Sequence, residues 1–422
     1  MTNMNENLDI SDEFINQLSS FINDNNIKLI PHKMEPYDIV NMFLEKNQSE
    51  DPFIIINLGD IIRQFQKWTT HLPQVKPYYA VKCNPDVVIL QLLNNLGCNF
   101  DCASQNEIAK VINLGVPPDR IIFANPCKMI SQIKYARAHD VDLVVFDDVN
   151  ELYKIKLYHS NAKLVLRIKT DDSSSLCKFN CKFGADLEDI ETLLNTAKFL
   201  GLHVMGISFH VGSGCKNKMQ YRTAIEDCYK TYQIAKKIGI NIELIDIGGG
   251  FPGTNIDDIK FEDIAQVLEN AFKEFFYDSE NEKYLVDFIA EPGRFMVAAS
   301  HILVLSIINK KVKNNNGEKE IIYYVNDSIY NTLSNIMTDH YVITDENLFP
   351  FNERNEKKYK SIIFGPTCDS LDKITDNIML PDLLAGEYIY ATNMGAYTTA
   401  MVHQGSEMFN GFNKPIIHYI LN

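Results

Sequence analysis

The chain is short of cysteine, of basic charge and of long apolar runs, and each shortage removes a class of protein. Nine cysteines in 422 residues, odd in number and irregularly spaced, are too few for a disulfide framework. The one close pair, Cys177 and Cys181, has no second pair or histidine at ligand spacing, so no metal site is expected. Lysine and arginine total 40 against 55 acidic residues, a formal net charge of −15. That balance argues against nucleic acid or an anionic membrane as partner and is compatible with a cationic small substrate. No apolar stretch approaches the ~20 residues that cross a bilayer. The opening MTNMNENLDISDEF is polar rather than a basic and apolar leader, so the cytoplasm, with thiols reduced, is the expected location. The pattern GxxxxGK[ST] is also missing, which disfavours a nucleoside triphosphate.

What is present is a regular alternation of short apolar runs and helical patterns. After FIIINL (53–58) come YYAVK (78–82), NFDC (99–102), RIIFAN (120–125), LVVFD (143–147), KLVLRIK (163–169), VMGISFHVG (204–212), ELIDIGGG (243–250) and DFIAEPGR (287–294). Between them lie helical patterns such as PDVVILQLLNNLG, QNEIAKVINLG and LEDIETLLNTAKFLG. Near-continuous apolar strands alternating with helices imply parallel βαβ units, and eight in succession imply a (β/α)8 barrel of the TIM type. Beyond about residue 300 the texture changes to strands separated by turns and polar loops, among them HILVLSIINKKV, KEIIYYVND, KSIIFGP, EYIYATN and KPIIHYIL. The expected organisation is an N-terminal segment, 1–58, contributing strands to a β-domain; a barrel, 59–299; and a C-terminal antiparallel β-domain, 300–422.

A barrel of this kind works at the C-terminal ends of its strands. Here those ends carry Lys82, Asp101, Arg167, His210 with Ser213 just beyond, the run Gly248, Gly249, Gly250, and Glu291 followed by Arg294. Four glycines within DIGGGFPG either make a turn or let backbone N–H groups approach an anion; Ser213 and Arg294 suit the same phosphate. Lys82 stands in an otherwise apolar, aromatic run, KPYYAVKCN. Alone, such a lysine snorkels or marks a strand end. Facing a phosphate cradle, it suggests a Schiff base to pyridoxal 5'-phosphate (PLP). Glu291 then offers the carboxylate that the pyridine nitrogen needs, unless it simply pairs with Arg294. His210 offers a flat face to the ring, unless it is a satisfied core histidine.

At this point the motifs PYYAVKCN, FDCAS, FANPCK, SFHVGSGC, DIGGGFPG, EPGR, GPTCD and NMGAYT resemble the barrel-type PLP-dependent basic amino-acid decarboxylases of the eukaryotic ornithine decarboxylase kind. The similarity runs in order from about residue 50 to the C-terminus. It implies decarboxylation of ornithine to putrescine, the diamine of polyamine biosynthesis. It implies that Lys82 holds the cofactor, Glu291 faces the pyridine nitrogen and His210 stacks on the ring. Ser213, Gly250, Arg294 and Tyr397 would bind the phosphate, and Asp101, Glu107 and Arg167 would support the Lys82 side. It further implies a homodimer with shared active sites, in which Cys368 of the partner subunit protonates the substrate α-carbon. Asp369 and Asp339 would bind the distal amine, with Phe409 lining the pocket. Lys182 would bridge to the partner's Asp372, and Gly395 would let the subunits approach.

Departures from the family pattern fall in the substrate pocket. Thr338 replaces the usual tyrosine before Asp339, so one wall is expected to be smaller and more polar. Phe364 stands where tryptophan is common, and the 398–408 link before Phe409 is longer than usual. Lysine or arginine is therefore the alternative substrate, since one methylene is worth only ~1–3 kcal/mol. A non-catalytic, decarboxylase-like regulator is the alternative of another class; retention of Lys82, Glu291, Arg294 and Cys368 speaks against it. ISQIKYARAHD (130–140) lies where an inhibitory regulatory protein docks in family members and reads equally well as an ordinary amphipathic helix.

Overall fold

The computed structural model describes residues 12–31, 34–46, 49–254, 259–315, 317–351, 357–401 and 408–422. Most of the 398–408 link therefore lies outside the described residues. The described chain divides into two compact units, Phe65–Met296 and a second built from the segment ending at Gln64 together with Val297–Asn422.

The first unit is a closed barrel of eight strands. In chain order they are Val75–Ala80, Asn99–Cys102, Ile121–Phe123, Leu143–Phe146, Lys163–Arg167, His203–Ser208, Leu244–Asp246 and Asp287–Ala290. Every neighbouring pair is parallel, and the eighth closes on the first through Phe288 opposite Val75. The strands read as near-continuous apolar runs because both faces are covered. Inside, Tyr78, Ile122, Val145, Val165, Leu244 and Ile289 pack into one cluster, so the barrel is a filled core. The outer helices start and stop by ordinary chemistry. Asp86 caps Val87–Asn95 by accepting from the N–H groups of Val88 and Ile89, both at 3.0 Å. Met219–Ile238 ends at Gly239 in the left-handed conformation.

A small antiparallel hairpin-like pair, Ser175–Cys177 with Ser213–Cys215, sits beyond the fifth and sixth strands. It was not foreseen, because three-residue strands carry no period to read.

The second unit is one nine-stranded sheet. Its spine is the strand His301–Asn315, flanked by Phe53–Asn57 and Glu318–Val325. FIIINL joins this sheet as expected, antiparallel to the spine, with Ile416–Leu421 running parallel beside it. Lys28–Leu29 adds a further parallel edge. The sheet is thus mixed: Glu318–Val325 also pairs parallel with Tyr359–Phe364, which the long intervening connection permits. Strands Leu348–Pro350 and Lys373–Leu380 escaped the sequence reading, the latter because KITDNIML holds polar residues at successive exposed positions. Ile30, Ile39, Val40, Phe53, Ile55, Ile302, Val304, Tyr390 and Ile420 form the core on one face.

Within the barrel unit, Trp68 is completely buried, donates its Nε1 proton to the Val75 carbonyl at 2.9 Å and packs against Phe251, Phe261 and Phe295. Trp68→Ala should lower unfolding free energy by about 3–5 kcal/mol, from lost burial and the cavity left behind. Denaturant titration checks this; a loss below about 1 kcal/mol would mean that the aromatic cluster closes over the gap.

Candidate active site

Lys82 lies just past the first strand, in the single turn Val81–Cys83. Its amine pairs with Asp101 on the second strand. Asp101 is fully buried, whereas the lysine side chain is 44% exposed, so the amine is held from beneath and open above. The second oxygen of Asp101 is buried without a partner. Glu107 supports the same side: Ser104 caps its helix, and the Glu107 carboxylate accepts from the Ala103 N–H at 2.6 Å. Burial raises the Glu107 pKa, opposed by that bond and by Lys82.

On the seventh and eighth strands, the latter adjoining the first, Asp246 at the end of the seventh is fully buried and Glu291 just past the eighth is half-buried. Burial pushes Asp246 up to about 7, partly offset by the Gly248 N–H at 2.9 Å and by hydrogen bonding to Glu291. Burial and then the charges of Asp246 and Asp101 raise Glu291 well above the carboxylate range. Each acid is thereby held toward its protonated form. Arg167 stands among Glu291, Asp147, Asp246 and Asp101, its guanidinium 5.3 Å from the Phe183 ring centre. Burial lowers its pKa and the four acids oppose the shift.

His210 is held by a bond from the Gly212 N–H to Nδ1 at 3.0 Å and by the edge of Phe179, ring centres 4.9 Å apart. Desolvation first, then Arg167 and Lys82, depress its pKa far below the usual range. The ring is neutral at physiological pH, and with Nδ1 accepting, its proton sits on Nε2. Beside it, Arg294 donates to the Ser213 hydroxyl at 3.2 Å. Gly248 and Gly250 take φ of 63° and 94°, and a Cβ at Gly250 would run into the Gly212 carbonyl. Only glycine makes this turn.

The structure therefore brings Lys82, Asp101, Glu107, Arg167, His210, Ser213, Gly250, Glu291 and Arg294 onto one barrel unit. It adds Asp246, Asp147, Phe179 and Phe183, which sequence reading missed. Asp246 had a signal, a lone acid two residues before a glycine run; the two phenylalanines lie in an irregular insert with none.

The remaining expected residues, Lys182 apart, lie in the other unit. The Cys368 N–H donates to Asn410 Oδ1 at 3.2 Å, and Asp369 accepts from the Tyr330 hydroxyl at 2.6 Å. Tyr330 also packs against Phe409, ring centres 5.0 Å apart. Cys368, Asp369 and Phe409 thus come together around Tyr330, which was not anticipated. Asp339 caps the C-terminus of the short helix Asn335–Thr338, while Tyr397 takes a positive φ of 57°. The Thr338 hydroxyl donates back to the Ser334 carbonyl at 2.9 Å, so that position is smaller than tyrosine and its oxygen remains as an acceptor. Gly395 is already obligatory within one chain, since a Cβ there would strike the Val297 carbonyl. Lys182 is exposed, its amine 5.0 Å from the Phe183 ring centre. Cys177 and Cys181 are free thiols, and among the described residues no group of side chains could hold a metal ion.

An amine on a buried acid, two acids held toward their protonated forms, and a serine and arginine beside a glycine turn suit a phosphorylated, nitrogen-containing carbonyl cofactor, and the unsatisfied Asp101 oxygen leaves a polar position for it. The fold and this rim define a barrel enzyme of cofactor-carbonyl chemistry. Residues 58–298 match the family "Pyridoxal-dependent decarboxylase, pyridoxal binding domain". Ornithine decarboxylase of Rattus norvegicus is 41% identical over 389 residues, 90% of this chain and 82% of that protein. Antizyme inhibitor 2 of Xenopus laevis is 40% identical over 415 residues, 96% of this chain and 89% of that protein. The crystal structure of Paramecium bursaria Chlorella virus arginine decarboxylase bound to agmatine superposes with a TM-score of 0.84 at 35% identity, covering 91% of this chain and all of that one. The chain belongs to the pyridoxal-dependent decarboxylases, with pyridoxal phosphate as cofactor. No helix among the described residues is long and apolar enough to cross a membrane.

The acid pair makes a pH prediction for the cofactor-free protein. Asp246 is raised in the fold, so its contribution to stability is complete below its unfolded pKa of about 4 and is lost as pH rises through about 7. Asp246→Asn should therefore gain melting temperature relative to wild type across that interval. A constant difference from pH 4 to 7.5 would show that folding does not raise the Asp246 pKa.

Proposed function

We propose that the chain decarboxylates L-ornithine to putrescine, with lysine or arginine as the rival substrates. The observation that carries this reading is the Lys82–Asp101 pair at the same barrel mouth as the Asp246–Glu291 acid pair. Bound there, pyridoxal phosphate supplies an electron sink for the pair released when carbon dioxide leaves. Lys82 would hold its carbonyl carbon, with Asp101 orienting the amine. Glu291, backed by Asp246, would keep a proton at the pyridine nitrogen. The neutral His210 ring would lie against the cofactor plane, and Ser213, Gly250, Arg294 and Tyr397 would bind its phosphate.

The substrate side would come from the second unit. Asp369, whose pKa is depressed by the Leu371 N–H and the Tyr330 hydroxyl, stays ionised and suits an ammonium group. Asp339 would be the second carboxylate, and Phe409 with Tyr330 would line the apolar stem. Cys368 would return a proton to the α-carbon. The family resemblance supports a homodimer with each site shared, so that Cys368 and Asp369 would serve the partner subunit's barrel. A cytoplasmic location is part of the same proposal.

The relative named antizyme inhibitor favours one second reading, a protein that binds a regulator without catalysis. Helix Ile130–Ala138 would then be the docking element; Met129 and Ile130 at its start are exposed. Retention of Lys82 and Cys368 favours the enzyme.

Purified protein with added PLP should release carbon dioxide from ornithine with kcat/KM at least about tenfold above lysine, the range that one methylene allows. Equal or faster turnover of lysine would make it a broader diamine-forming enzyme, and no turnover with any of the three would favour the regulator. Lys82→Ala should abolish the cofactor's bound absorption band. Asp369→Ala should raise KM about tenfold or more while leaving that band intact, and an unchanged KM would remove Asp369 from amine recognition. Mixing inactive Lys82→Ala and Cys368→Ala chains should restore part of the activity. No recovery despite proven subunit exchange would mean that each chain is self-sufficient.

A further inference from the structure

Asp372 joins two segments that are far apart in sequence. It is 1% exposed. Its Oδ1 accepts from the Ser328 hydroxyl at 2.9 Å and the Ile329 N–H at 3.1 Å. Its Oδ2 accepts from the Thr367 hydroxyl at 2.7 Å and the Thr367 N–H at 3.2 Å. One oxygen thus takes the turn leading to Tyr330, and the other takes the loop leading to Cys368 and Asp369. The loop is closed on itself as well: Gly365 N–H donates to the Asp372 carbonyl at 2.9 Å, Asp372 N–H to the Asp369 carbonyl at 3.2 Å, and Leu371 N–H to Asp369 Oδ1 at 3.0 Å. Any Cβ at Gly365 would collide with both Asp372 oxygens, so the carboxylate lies across the loop only because residue 365 is glycine.

The carboxylate accepts on both oxygens, each taking one hydroxyl and one backbone N–H. An amide would accept on one side and turn its NH2 toward a backbone N–H on the other, and that N–H, unlike a hydroxyl, cannot reverse. The consequence reaches the pocket directly, because Tyr330 and Asp369, one on each clamped segment, meet at 2.6 Å.

We propose that Asp372 is a positioning residue that clamps, within one chain, the Ser328–Tyr330 turn to the Thr367–Asp369 loop. It thereby fixes the spacing of Tyr330, Asp369 and Cys368 that a substrate meets. This rests on the reading of Cys368 and Asp369 given above. It is a role within one chain, separate from the resemblance-based one in which Asp372 reaches across to Lys182 of the partner subunit.

A double-mutant cycle with Asp372→Asn and Lys182→Ala in the PLP-loaded enzyme separates the two roles. Three readouts are followed: kcat and KM for the preferred basic amino acid, the dimer by sedimentation, and amide exchange over residues 327–331 and 365–373. Asp372→Asn should raise KM and lower kcat/KM about tenfold or more, the scale of lost bonds to a charged acceptor. It should quicken exchange in both segments together, with the cofactor absorption band and the dimer kept. Lys182→Ala should stay within about twofold, as an exposed charge does, and the effects should add.

Equal effects that do not add, accompanied by loss of dimer, would overturn the clamp in favour of an interchain bridge. Unchanged KM and exchange in Asp372→Asn would overturn it outright. Should that variant not fold, Ser328→Ala and Thr367→Val each withdraw one donor; each should quicken exchange in both segments, and exchange as in wild type would refute the clamp. If no basic amino acid is turned over, the site reading fails on that result, while exchange still decides whether Asp372 joins the segments.

Discussion

Charge that cannot reach water must be matched within the barrel mouth, and this constraint arranges nearly everything there. An unpaired carboxylate at the fully buried Asp101 would cost on the order of several kcal/mol, and the Lys82 amine offsets it. Arg167, half-buried, stands among four acids for the same reason. Burial first, and neighbouring carboxylates after it, hold Asp246 and Glu291 toward their protonated forms. Under the proposed function, such a proton would serve a pyridine nitrogen. Desolvation first, then the charges of Arg167 and Lys82, suppress protonation of His210, so the ring stays uncharged and adds no repulsion toward Lys82.

How much of this was legible follows from which interactions are periodic. The eight barrel strands could be read because burial on both faces makes each a continuous apolar run, and parallel alternation with helices then fixes where their polar ends gather. That geometry places Lys82, Asp101, Arg167, His210 and Glu291 at one rim. Phe179 and Phe183 were not legible, since they reach His210 and Arg167 from an insert whose strands are three residues long at most. Tyr330 was missed for another reason: its role is set by Asp369 and Phe409, 39 residues or more away in sequence, and nothing local marks it. The placing of Asp246 beside Glu291 follows from the pairing of the seventh strand with the eighth, which is set by the sheet and not marked locally.

The same contrast separates the two halves of the proposed chemistry. Cofactor groups sit at ends of regular strands, where the fold leaves little freedom. Substrate groups sit on turns and loops whose geometry is held by side-chain hydrogen bonds. A glycine collapsed against Asp372, a hydroxyl from Thr367 and another from Ser328 replace what strand pairing does in the barrel. Loops held this way tolerate substitution at their tips while the anchor stays, which is how one scaffold comes to serve several basic amino acids.

Selection among those amino acids then turns on spacing more than on charge. Asp369 is held ionised, and an ammonium at the end of a chain one methylene longer would satisfy it equally if the pocket allowed. Thr338 lacks the bulk of tyrosine, and the proton of its hydroxyl goes to the Ser334 carbonyl, which leaves the oxygen as an acceptor only. Under the proposed function, length discrimination would fall to Tyr330 and Phe409 and to the loop that sets Asp369 against Tyr330. A pocket that measures length through a clamped loop can be retuned by changing the clamp, without touching any residue that meets the substrate.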